Sequence, residues 1–129
     1  RRFLNEVRTE AGLESIERAE KAALLVLSAL LRRVTPDEAM DLMAQLPMKI
    51  AAKLRDLPPG PDKSITLQTI LDDLTDELGV SAAEAEGIVS AVARTLDENV
   101  SAGQMDDIRS QLPAELRHAF SPAMSGGSR

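Results

Sequence analysis

The 129-residue chain is 43% hydrophobic and 28% charged, with a formal net charge of -6 at pH 7. It has no cysteine, tryptophan or tyrosine, one histidine and two phenylalanines, which excludes disulfide frameworks and thiolate metal sites. The same inventory removes most of the residues used for nucleophilic catalysis and for stacking on bases. A chain this long forms one domain that buries roughly two-thirds of its unfolded surface. The lack of cysteine suits a reducing, cytoplasmic compartment. The longest apolar or small stretch, Ala22 to Leu31, is ten residues, about half of what a membrane-spanning helix needs. Asn5, Glu6 and Glu10 interrupt any signal-peptide core, and a start at Arg1 points to a preceding segment.

In chain order, the first predicted helix runs from about Phe3 to Ala11 and ends at Gly12, where a left-handed residue followed by apolar Leu13 closes the last turn. The second and longest spans about Ile16 to Arg33, with apolar residues Ile16, Ala19, Ala23, Val26, Leu27, Leu30 and Val34 stepping by three and four. Thr35-Pro36-Asp37-Glu38 opens the third: Thr35 caps, Pro36 suits the first helical position, and Glu38 is placed to reach back to the cap. Pro47 opens a short fourth helix ending near Asp56, and Leu57-Pro58-Pro59-Gly60-Pro61 makes a stiff, extended connector.

The same order then returns. A helix from about Ile65 to Leu78 ends at Gly79-Val80, and Ser81 with Glu84 forms a capping box for a helix over about Ala82 to Asn99. Ser101-Ala102-Gly103-Gln104 repeats the Thr35 device in different residues, and Pro113 opens a last short helix ending near Phe120. Gln45-Leu46-Pro47 recurs as Gln111-Leu112-Pro113, 66 residues on, and at that offset Val26, Leu30 and Val34 meet Val92, Leu96 and Val100. Amphipathicity alone does not reproduce matching glycine and proline punctuation, so the pattern reads as an internal duplication. The expectation is an all-α fold, a tandem repeat of two four-helix units forming one helical bundle domain. Residues 1–57 form the first repeat, 58–63 the proline-rich connector, 64–120 the second repeat and 121–129 a flexible tail.

With Phe3-Leu4 and Val7, Gly12-Leu13, Gly79-Val80 and the two Gln-Leu-Pro triplets in this order, the chain resembles the bacterial domain-of-unknown-function family 2267. The resemblance covers about Phe3 to Phe120 and implies an all-helical bacterial cytoplasmic protein. It brings no activity and no functional residue.

Several clusters bear on chemistry. His118 has neighbours Glu115, Arg117 and Ala119, a layout that suits a histidine at a helix C-terminus rather than a catalytic base. Asp72, Asp73, Asp76 and Glu77 place carboxylates four residues apart on one helix. No Glu-x-x-His element or calcium loop accompanies them, so they read as a solvated acidic face rather than a metal site. Charge is divided unevenly: residues 1–63 carry a net +1 and residues 64–129 a net -7. The second half should repel nucleic acid and favour basic protein surfaces. The second helix also carries Leu24, Leu25 and Leu31 where its counterpart has Ser90, Ala91 and Asp97. Those leucines either pack the halves together or form a seam for a partner or a second copy.

The reading that follows is a non-catalytic protein-binding module, an adaptor or accessory subunit of a bacterial complex. Leu24, Leu25, Leu31, Asp72, Asp73, Asp76 and Glu77 are its contact residues, with no cofactor, no metal and no membrane span. Its partner is a protein or another copy of the chain. Two alternatives stand beside it: a nucleic-acid-associated regulator using Arg32, Arg33, Lys49 and Lys53, which the missing aromatics and the absence of a basic excess disfavour, and a metal-dependent enzyme using the Asp72 to Glu77 carboxylates.

Overall fold

Short side-chain caps decide where most of the helices start. In the computed structural model, which describes residues 2–121, every regular element is an α-helix. The elements are α1 (Arg2–Ala11), α2 (Ile16–Arg33), α3 (Pro36–Met43), α4 (Met48–Lys53), α5 (Leu67–Leu78), α6 (Ala82–Asn99), α7 (Ala102–Ser110) and α8 (Ala114–Ala119). Ser15, Thr35, Ser81 and Ser101 each accept a hydrogen bond from the backbone N–H three residues on, satisfying a donor the helix leaves open. Gly12 and Gly79 take φ of +69° and +66°, the left-handed closure their positions predict.

Some boundaries differ from the expectation. Helix α5 starts at Leu67 rather than Ile65, because Thr66 caps it in a box with Thr69. Ile65 is buried just before the helix. Helix α4 stops at Lys53, and Leu54 turns into the core instead of extending the helix to Asp56. Of the predicted tail, residues 122–129 lie outside the described residues.

Packing interleaves the two halves. Helix α1 lies against both α2 and α6, α5 against both α6 and α2, and the two long helices touch each other directly. The short helices sit at the periphery: α3 packs on α2 and meets α7, while α8 touches α5, α6 and α7. Phe3, Val7, Leu27, Leu30, Ile70, Leu74, Ile88, Leu96 and Phe120 are all buried in a single apolar cluster drawn from both halves. Polar side chains tie the crossings. Arg94 pairs with Glu10 at 3.2 Å, Asn99 donates to Glu6 at 2.8 Å, and the Arg18 guanidinium donates to the Leu78 carbonyl at the end of α5 at 2.8 Å.

The connector is held against the end of α2. The Asp62 backbone N–H donates to the Arg32 carbonyl at 2.7 Å, and Gly60 lies so close that an added Cβ would stand 2.2 Å from that oxygen and 2.5 Å from the Val34 carbonyl. Gly60→Ala therefore forces backbone apart and should cost about 1–3 kcal/mol. Gly87, exposed within α6 with open space around it, is the control: Gly87→Ala should stabilise by about 0.5–1 kcal/mol. Urea unfolding followed by circular dichroism measures both.

Candidate functional site

The three leucines of α2 part company in the structure. Leu31 is 3% exposed and belongs to the core, so it is an internal residue and not the contact residue its sequence position suggested. Its 66-residue counterpart explains why: Asp97 occupies that position in α6 and pairs with Arg109, which itself stands where the first half has Met43. One half uses apolar residues at these two positions and the other an ion pair, and Arg109 also donates to the Phe120 carbonyl at 2.8 Å. Leu24 and Leu25 are half-buried, packed on the core with part of each side chain in solvent.

Helix α5 presents Asp72, Asp73, Asp76 and Glu77 to solvent, all four exposed. Asp72 accepts from the Gln68 amide at 2.8 Å, and Glu77 stands 4.0 Å from Lys21 of α2. Asp73 and Asp76 form no ion pair among the described residues. Nowhere among the described residues do three or more His, Asp or Glu side chains converge as a metal ion would require. The basic residues of the first half are spread over two elements and partly neutralised. Arg32 stands 3.9 Å from Asp62, Lys53 pairs with Glu20, and Arg33 is half-buried with its Nε unpartnered.

Two grooves flank the fourth helix of each half. One of about 480 Å³ is lined by Leu4, Ile16, Glu20, Lys49, Ile50 and Lys53. The other, about 490 Å³, is lined by Leu67, Glu86, Val89, Ser90, Glu115 and His118, with Ala114 and Ala119. Glu20, Lys49 and Lys53 correspond at the 66-residue offset to Glu86, Glu115 and Ala119, so the grooves occupy matching places with different charge. Among the described residues, Met48 and Met40 are the large exposed apolar side chains, at 86% and 68%.

A polar network missed in the sequence joins the two third helices. The Gln111 side chain accepts from the Thr35 backbone N–H at 2.9 Å, and Gln45 accepts from the Ser101 backbone N–H at 2.8 Å. Each glutamine of a Gln-Leu-Pro triplet thus completes the N-cap of the other half's third helix. That displaces the capping box expected from Glu38, whose carboxylate instead accepts from Gln104 and Gln111. Burial, with the nearby charges of Asp107 and Asp41, pushes the Glu38 carboxyl above its ordinary value, against the pull of the Gln104 hydrogen bond. The sequence signal was the triplet itself, whose glutamine had no local role.

These features describe an all-helical protein with one shared core, two matched grooves and an acidic helix face; no described helix is long and apolar enough to cross a membrane. The chain belongs to the family described as uncharacterized conserved protein (DUF2267), whose model matches residues 1–119. The curated proteins contain no match to it.

Gln45→Ala and Gln111→Ala should each lower stability by about 0.5–1.5 kcal/mol, and the double variant should be non-additive because both amides belong to one network. A double-mutant cycle by denaturant unfolding checks this. A carboxyl whose folded pKa is raised binds its proton more tightly in the folded state, so its ionisation opposes folding as pH rises through that value. Asp107→Asn removes one repelling charge and should raise the melting temperature at pH 7 in low salt by a small margin. The gain should shrink in high salt and vanish once Glu38 is protonated in acid.

Proposed function

We propose that this chain is a non-catalytic protein-binding module, an adaptor or accessory subunit of a bacterial cytoplasmic complex, evolved by duplication of a four-helix unit. The observation that carries the binding role is the exposed carboxylate face of α5, set in a half of the chain with a net charge of -7. Side chains of one sign held on a rigid helix steer a partner of opposite sign and repel polyanions. The partner chemistry this favours is a basic protein surface, with Leu24 and Leu25 as half-exposed apolar contacts.

The duplication is supported by equal lengths of α2 and α6 and of α4 and α8, by left-handed glycines after α1 and α5, and by the reciprocal glutamine caps. Random amphipathic helices have no reason to share these features at offsets of 66 residues, or 67 for the two glycines.

The variant Asp72→Lys/Asp73→Lys/Asp76→Lys reverses the face at three exposed positions, so its fold should be retained by circular dichroism. Proteins that co-purify with the native-level chain should be lost from this variant, and the purified partner should bind the parent chain more weakly as salt rises. A partner retained at full affinity by the variant refutes the assigned face.

A further inference from the structure

We propose that the protein self-associates head to tail, with the exposed Met48 and Lys49 of one copy seated in the groove between α6 and α8 of the next. Met48 is the most exposed large apolar side chain described, 86% accessible at the first position of α4. Lys49 beside it is also exposed. The groove offers Leu67, Val89, Ala114 and Ala119 as apolar lining, with Glu86 and Glu115 as its acids. A flexible thioether suits an irregular apolar groove, and the lysine then meets carboxylates of opposite charge.

Residue differences between the halves make the contact directional. Met48 corresponds to Ala114 at the 66-residue offset, so the apolar knob exists on one half only and a small residue lines the groove on the other. Leu24, packed on the core, corresponds to Ser90, which lines the groove and leaves room there. Lys49 corresponds to Glu115, so the knob is basic where the groove is acidic. Because knob and groove are different surfaces of one molecule, each added copy leaves one of each free. The assembly is therefore heterologous, and it extends unless its rotation closes a ring. The acidic face of α5 takes no part in it.

Sedimentation velocity across micromolar to low-millimolar protein tests the idea. The weight-average mass should rise with concentration beyond that of a dimer, and less so at high salt. Met48→Asp places an acid at the first turn of a helix, and Ser90→Arg puts a bulky cation into the groove at an exchange the helix tolerates. Each alone should stay monomeric while keeping the parent's circular dichroism spectrum. Mixed together they should form a one-to-one dimer and no larger species, because one intact knob meets one intact groove. Association that survives either variant overturns the proposal, as does a mixture that stays monomeric or a parent chain monomeric throughout the range. The α5 charge-reversal variant should associate like the parent, which separates this contact from the partner face.

Discussion

Neither long helix has its apolar surface covered by its own half of the chain. Helix α2 buries Ala19, Ala22, Ala23, Val26, Leu27, Ala29, Leu30 and Leu31, and α6 buries a set of similar extent. A single ten- or twelve-residue helix covers one side of such a surface, so a second cover must come from elsewhere. It comes from the opposite half: α1 against α6, α5 against α2, and the long helices against each other. The connector, the Arg94–Glu10 ion pair and the Arg18 cap all follow from holding those crossings in register.

The polar counterpart of that exchange is the pair of glutamines. A helix start leaves backbone N–H groups open, and a side chain three residues away normally answers them. Here the N-cap N–H of each third helix is answered across the molecule instead, over sequence separations of 76 and 56 residues. That frees the N3 residues, Glu38 and Gln104, to bond to each other and closes a network where α3 meets α7. The arrangement places a carboxylate in a partly buried, acid-rich setting, which raises its pKa and opposes folding while it is ionised. Gln104 at the matching position carries no such charge.

Compared at the 66-residue offset, the two halves differ at several positions where side chains meet solvent or one another in pairs. Leu31 and Met43 stand where the second half has the Asp97–Arg109 pair, and the two charges occur together because a lone buried charge is costly. Lys49 against Glu115 and Met48 against Ala114 are exposed positions, where the fold imposes little. Differences of that kind leave the core intact and give matched surfaces opposite character.

Most helix positions, the cap residues Thr35, Ser81 and Ser101 and the left-handed glycines were legible in the sequence because each is decided within a few residues. Ser81 and Glu84, or Gly79 and Val80, carry their own explanation. The exposure of Asp72, Asp73, Asp76 and Glu77 was legible for the same reason, since a run of carboxylates on one helix face has nowhere else to go. Three things were decided only by the fold: that Leu31 is internal, that the Gln-Leu-Pro glutamines cap the opposite half, and that Met48 stands free. The glutamines find their partners 76 and 56 residues away, and a local pattern of apolar and polar residues holds no information about which distant surface will arrive to cover a side chain.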